Sequence, residues 1–247
     1  MIEVKTKEEI DRIRKAGKIL AKVSNTLKKN IKAGIITGEL DKLAEKEFCN
    51  FGVVSAFKGY RGFPANICTS VNEEVVHGIP GDRRLSEGDI LSIDLGIKLD
   101  GYYADMAFTQ PVGKVKPYIR KFINVTREAL SKGIKQSRIN KKISDISCAI
   151  QLYVESFGFS VVREFVGHGI GKELHEEPQI PNFGRPDTGE AIAKGMVFAI
   201  EPMVNMGSWE IDILDNGWTA VTRDRLFSCH FEHTVVVLED GPKILTQ

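Results

Sequence analysis

Two aspartates flank one of the strongest local signals in this sequence, the run Ile93-Asp94-Leu95-Gly96-Ile97-Lys98-Leu99-Asp100-Gly101-Tyr102-Tyr103-Ala104-Asp105. Asp100-Gly101 predicts a two-residue hairpin turn, because both residues tolerate positive φ. If Leu99 pairs with Tyr102, counting back sets Gly96 opposite Asp105. Asp94 shares a face with Gly96 and becomes a diagonal neighbour of Asp105. Two carboxylates brought together among Ile93, Leu95 and Ile97 repel each other unless a proton or a cation compensates. A metal ion is the economical explanation.

Three further candidates stand at segment ends. Glu201 closes the apolar strand Met196-Val197-Phe198-Ala199-Ile200, and Glu232 interrupts a strand-like run from Phe227 to Leu238. A carboxylate in such company needs a partner. His168 lies in Gly167-His168-Gly169-Ile170-Gly171, where the glycines allow close backbone approach and leave the imidazole facing a site. Four carboxylates and one imidazole form a hard, oxygen-rich donor set, suited to manganese, iron(II), cobalt(II) or zinc and unlike a structural zinc site. Five side chains exceed what one small cation takes while still holding water and substrate. Two cations about 3.5 to 4 Å apart, bridged by carboxylates, use them all.

The elements that must position these groups are readable in outline. Thr6 and Glu9 form a capping-box pattern, and Ile10, Ile13, Leu20, Val23 and Leu27 recur at helical spacing, predicting a helix over about 7–29. A second helix starts near Thr37, carries Leu40, Leu43, Ala44, Phe48 and Phe51 on one stripe, and stops at Gly52. Strands follow around 53–57, 66–71 and 90–109. Helices then return over about 117–135 and from Ser144 to Phe157. Phe51-Gly52 and Phe157-Gly158 end corresponding helices, and paired valines, Val53-Val54 and Val161-Val162, open each following β-rich stretch. The pattern is that of a duplicated helix, helix, sheet unit, or of two helical hairpins alike by chance. No low-complexity linker separates the halves, so they are expected to pack as one body with the site between them.

Bulk composition narrows the function classes. The 247 residues are 42% hydrophobic and 27% charged, which is ordinary for a globular chain with a substantial core. Lys and Arg number 34 against 33 Asp and Glu, a net charge of +1, so neither nucleic acid nor an anionic membrane is an expected partner. Met1 to Ile10 is charged and lacks the apolar segment of a secretory signal, and no run approaches the roughly 20 apolar residues that cross a bilayer. Cys49, Cys68, Cys148 and Cys229 are scattered, with no CxxC pair, so a disulfide framework is not expected. A reducing cytoplasm is the simplest address.

In order and spacing, Asp94, Asp105, His168, Glu201 and Glu232 resemble the five metal ligands of the methionine aminopeptidases, in the creatinase-like pita-bread superfamily (peptidase family M24, subfamily A). The resemblance spans nearly the whole chain. It includes Asn72-Glu73-Glu74-Val75-Val76-His77-Gly78-Ile79-Pro80, Gly167 to Gly171, His175-Glu176-Glu177-Pro178 and Glu201-Pro202-Met203. It implies an α+β fold with pseudo-twofold helix-helix-sheet halves, roughly 1–110 and 111–247 of one catalytic domain, whose curved antiparallel sheet is covered by helices. It also implies two divalent cations, drawn from cobalt, manganese, iron(II) and zinc. Asp94 is assigned to one cation, His168 and Glu201 to the other, and Asp105 and Glu232 bridge. His77 and His175 become catalytic residues that contact substrate, and Glu201 the proton relay.

The activity implied is hydrolytic removal of an initiator methionine followed by a small residue. The implied partners are nascent polypeptide N-termini, met at the ribosome among other places, and the implied state is a monomer. Tyr60, Phe63, Cys68 and Trp218 stand where the family places pocket walls, and sulfur packs well against aromatic rings. Phe57 and Leu174 depart from the pattern, which has a smaller, Cys-like residue at the first and an aromatic at the second. His230 stands where Gln is usual. There is no room between Glu201 and Glu232 for the long helical insertion of the type 2 enzymes, and no zinc-binding extension precedes the first helix, so the compact type 1 form is expected.

Other chemistries fit less well. His175-Glu176-Glu177-Pro178-Gln179 begins like a zincin motif but has Gln179 where a second His is needed, and no GxSxG elbow is present. Gly167 to Gly171 lacks the glycine spacing of a dinucleotide loop. Two rivals share the fold. One is a proline-specific peptidase of the superfamily, which usually carries an extra amino-terminal domain; the other is a binding protein that has lost its metals.

Overall fold

The computed structural model describes residues 2–247; Met1 lies outside the described residues. The architecture is α+β, with four long helices and antiparallel strands throughout.

Helix α1, Lys7–Asn30, starts at the expected capping box: the Thr6 N–H donates to Glu9 Oε2 at 2.8 Å and the Glu9 N–H to Thr6 Oγ1 at 3.3 Å. Glu8 and Glu9 in its first turn, with Lys28 and Lys29 in its last, complement the helix dipole. Its buried stripe includes Ile13, Leu20, Val23 and Leu27, packed on strands Ile90–Leu99 and Tyr102–Pro111. Helix α2 spans Thr37–Asn50. Helices α3, Pro117–Gln136, and α4, Ile143–Glu155, pack against each other. Pro117 suits the first turn of α3, where its missing N–H leaves nothing unpaired. One continuous hydrophobic core runs from α1 and α2 through the hairpin to α3 and α4.

The sheets place the acidic residues. Strands Ile90–Leu99 and Tyr102–Pro111 pair along their whole length, with Leu99 opposite Tyr102 and Gly96 opposite Asp105. The turn has φ 49° at Asp100 and 84° at Gly101, as the sequence predicts. Strand Cys68–Val71 lies along the other side, with Cys68 opposite Asp94. A five-stranded sheet holds Gly241–Ile244, His233–Leu238, Val197–Ile200, Gly167–Gly169 and Glu176–Ile180 in that order. The two sheets meet where Ala107 and Glu232 exchange backbone hydrogen bonds of 2.9 and 3.3 Å, and where Thr234 Oγ1 donates to the Asp105 carbonyl at 2.7 Å. No helix among the described residues is long and apolar enough to cross a membrane.

Two local expectations are corrected. The run from Phe227 to Leu238 is two strands, Ser228–His230 and His233–Leu238, broken at Phe231-Glu232. At the break Glu232 leaves the ladder of its own run and bonds instead to Ala107 of the hairpin, where it stays buried. The stretch 53–57 contributes only the short strand Val54–Ser55, because Ser55 Oγ accepts the N–H groups of Phe57 and Lys58 and turns the chain.

Candidate active site

Asp94, Asp105, His168, Glu201 and Glu232 line one pocket of about 270 Å³, together with His77 and His175. All six of the expected wall residues, Phe57, Tyr60, Phe63, Cys68, Leu174 and Trp218, line it too. Asp94 and Asp105 come from the hairpin, in the diagonal relation that the Asp100-Gly101 turn imposes. His168 comes from Gly167–Gly169, squeezed between two neighbouring strands. A Cβ on Gly167 would lie 2.5 Å from the Ala199 carbonyl oxygen, and one on Gly169 2.2 Å from that of Glu177. The flanking glycines therefore let the strands close around the imidazole. Glu201 follows strand Val197–Ile200, so the strand end delivers its carboxylate.

Donor atoms of Asp105, His168 and Glu232 all lie within 4.8 Å of one another. Glu201 Oε1 is 3.4 Å from His168 Nε2, and the Asp94 carboxyl lies near enough to Asp105 to feel its charge. Asp105 is 4% exposed and Glu232 1%. Burial and mutual repulsion push the carboxyls of Asp94, Glu201 and Glu232 well above the usual range. Asp105 is raised to about 7 by burial, against the pull of the Met106 N–H that its Oδ1 accepts.

Four carboxyls crowded away from water call for a positive charge, and two atoms say so directly. Asp94 Oδ1 and Glu232 Oε1 are buried with no hydrogen-bond partner among the described residues. His168 is set up as a neutral ligand: its Nδ1 lies 2.9 Å from the Gly169 carbonyl, which can only accept, so the proton sits on Nδ1 and the Nε2 lone pair faces the carboxylates. Burial holds this imidazole down to about 3, which keeps it uncharged at neutral pH. The donor set fits divalent cations.

The other face of the pocket is aromatic. Phe63 packs edge-on against Trp218 at 5.1 Å, and His77 meets Phe165 at 5.2 Å and Trp218 at 6.3 Å. His175 stacks near His168, with ring centres 4.3 Å apart, and its Nδ1 shares a 2.8 Å hydrogen bond with Tyr60 Oη. Burial lowers His77 to about 4 and also lowers His175, helped by the Arg61 guanidinium. His77 holds φ 59°, a strained backbone for a non-glycine residue and one often met at functional sites. Buried His230 points Nε2 at Glu201 Oε2 across 3.5 Å.

Arg61 and Phe165 line the pocket and were not singled out from sequence. The signal for Arg61 is its place between Tyr60 and Gly62, where it takes φ 49°. Phe165 gave no signal: it stands in an irregular stretch, and only folding sets it against His77.

Comparison with known proteins agrees with this geometry. A sequence model of metallopeptidase family M24 matches residues 11–239. A Clostridium perfringens protein named methionine aminopeptidase is 51% identical over 246 residues, 100% of this chain and 99% of its own length. The crystal structure of a Thermotoga maritima methionine aminopeptidase superposes with a TM-score of 0.98 at 46% identity, covering 100% of both chains. A prolidase from Pyrococcus furiosus shares the pita-bread fold, with a TM-score of 0.80 at 24% identity over 99% of this chain and 65% of its own. On these grounds the chain belongs to metallopeptidase family M24 and, within it, to the methionine aminopeptidases.

Proposed function

We propose that Asp94, Asp105, His168, Glu201 and Glu232 hold two divalent cations at the floor of the aromatic pocket, and that this centre removes an N-terminal methionine. The observation that carries the reading is the convergence of five donors, two of them with orphaned buried oxygens, beneath an apolar pocket. Asp94 would hold one cation and His168 and Glu201 the other, with Asp105 and Glu232 available to both. Cobalt(II), manganese(II), iron(II) and zinc all suit this set.

When bound, such cations supply Lewis acidity, easing loss of a proton from an attacking water and offsetting charge on the peptide oxygen. The protein's own groups do the rest. Glu201 takes up the water's proton and returns it to the leaving amine. Tyr60 Oη lies 2.8 Å from His175 Nδ1; with the hydroxyl as donor, the proton of the neutral ring is on Nε2, free to donate to the substrate amide. His77, kept neutral by burial, donates from the opposite wall. Phe57, Tyr60, Phe63, Cys68, Leu174 and Trp218 enclose the methionine side chain, where aromatic edges and sulfur interact favourably.

The substrates are nascent polypeptide N-termini whose second residue is small. The two halves, 1–110 and 111–247, act as one domain, as a monomer, in the cytoplasm and on chains leaving the ribosome. The decisive experiment is a peptide panel assayed with each metal, using Met-Ala, Met-Phe, Leu-Ala and Ala-Pro peptides, together with calorimetric metal titration. Rapid cleavage of Met-Ala alone and two bound cations per chain are expected, with Glu201→Gln losing at least about a hundredfold in kcat even at saturating metal. Preference for the Ala-Pro bond, or near-normal turnover by Glu201→Gln, overturns the reading.

A further inference from the structure

The pocket wall bearing Leu174 and His175 belongs to a loop, 171–175, that has little regular structure of its own and leads into strand Glu176–Ile180. Besides the Tyr103 N–H that donates to the Gly171 carbonyl at 2.8 Å and the Tyr60–His175 contact, one of its anchors is a group far away in sequence. Lys5, in the segment before α1, has a side chain only 1% exposed, and its Nζ lies 2.5 Å from Glu176 Oε2 and 2.8 Å from Glu3 Oε2. Glu176 is itself 13% exposed, and its other oxygen accepts the Glu173 N–H at 3.2 Å, closing the loop on itself. The Lys5 N–H donates to the Gly195 carbonyl at 2.8 Å, which anchors the lysine backbone to the body of the fold. Gly171 lies so close that a Cβ there would be 2.4 Å from Lys5 Cε and 2.8 Å from Glu176 Oε1.

We propose that Lys5 is a positioning residue for the reaction: through Glu176, at the start of the next strand, it holds the 171–175 loop so that His175 and Leu174 face the substrate. The inference rests on the site assignment above. A buried ion pair contributes little net stability, but removing one partner leaves the other charge stranded. Without the ammonium, the Glu176 carboxylate turns toward water and releases the Glu173 N–H it accepts, freeing the bends that place Leu174 and His175. Displacement of a catalytic group by about 1 Å costs on the order of a hundredfold in rate. Glu3, 56% exposed, supplies only a solvated contact and is dispensable.

The test uses the full metal-loaded chain with Lys5→Met, Glu176→Gln, the double variant and Glu3→Gln. Lys5→Met is expected to lose about 10- to 100-fold, mainly in kcat. The double variant should be no worse than the poorer single one, because both act on one loop. Glu3→Gln should stay within about twofold. The histidine side-chain NMR signals of the metal-free protein separate positioning from general stability: the His175 resonances should move in Lys5→Met while those of His233 stay. If Lys5→Met folds poorly, Glu176→Gln carries the same readout with the lysine still paired to Glu3. Full kcat and unmoved His175 signals in either variant overturn the proposal, provided His175→Ala is inactive. An active His175→Ala instead overturns the site assignment on which the proposal stands.

Discussion

A metal centre built from crowded carboxyls should leave opposite signatures on stability and on metal response when one carboxyl is neutralised, and Asp105→Asn isolates them. In the metal-free protein the Asp105 carboxyl is raised from 3.8 to about 7, mainly by burial. A group whose folded pKa exceeds its unfolded value costs nothing below the unfolded value. The cost grows as the pH rises and is complete above the folded value. The window therefore runs from about pH 4 to about pH 7. At 1.36 kcal/mol per pH unit the full penalty is about 4 kcal/mol, reduced in practice by relaxation and water entry. The new amide keeps an oxygen for the Met106 N–H and offers an N–H toward the nearby Asp94 carboxyl, so the neutral side chain fits the same place. Urea unfolding of metal-free protein at pH 7.5 should show Asp105→Asn more stable than wild type by roughly 2–4 kcal/mol, with the difference vanishing near pH 4. Adding manganese should raise the melting temperature of wild type sharply and that of the variant hardly at all. A variant less stable than wild type in the absence of metal, or one that keeps the full metal-induced rise, refutes the reasoning.

Two further expectations follow from neighbouring geometry. Glu9 is lowered from 4.5 to about 2, first by the Thr6 N–H it accepts and then by Tyr102 and Lys172, so its contribution is full above pH 4.5 and lost as the pH falls toward 2; Glu9→Gln should cost about 1–3 kcal/mol in denaturant unfolding at pH 7 and nothing near pH 2. Gly96→Ala would set a Cβ 2.9 Å from Phe57 Cε1 and 3.1 Å from Asp105 Oδ1; kcat/KM for Met-Ala peptides should fall at least tenfold with stability lowered by about 1–3 kcal/mol, as measured by steady-state kinetics and melting.

How far the fold and the site could be read in advance depended on whether the signal was local. Helix α1 was legible to within a residue at each end because Thr6 and Glu9 cap it and its apolar stripe is regular. The Asp94–Asp105 pairing was legible because a two-residue turn leaves no freedom of register, so one dipeptide settled the neighbours of both carboxylates. Glu232 was legible as an interruption of an apolar run, and the chain does break there, but its bonding to Ala107 of the other sheet was not legible because nothing local encodes it. Arg61 and Phe165 reach the pocket through irregular backbone, where no periodicity exists to be read. Lys5 is the extreme case, since its partner is 171 residues away and neither residue stands out in its own surroundings. Gathering all five candidate ligands needed family resemblance as well, because His168, Glu201 and Glu232 carry weak signals one at a time.

The joint between Ala107 and Glu232 also bears on the order in which the proposed ligand set is completed as the chain is made. A growing chain that has emerged only through the hairpin offers Asp94 and Asp105 and nothing to complete their coordination. His168 and Glu201 arrive later, and Glu232 arrives last of the five. On that proposed set, an enzyme that trims other newborn chains lacks its fifth donor until its own synthesis has passed that glutamate, and truncation before residue 232 is expected to yield a silent product rather than an unregulated peptidase.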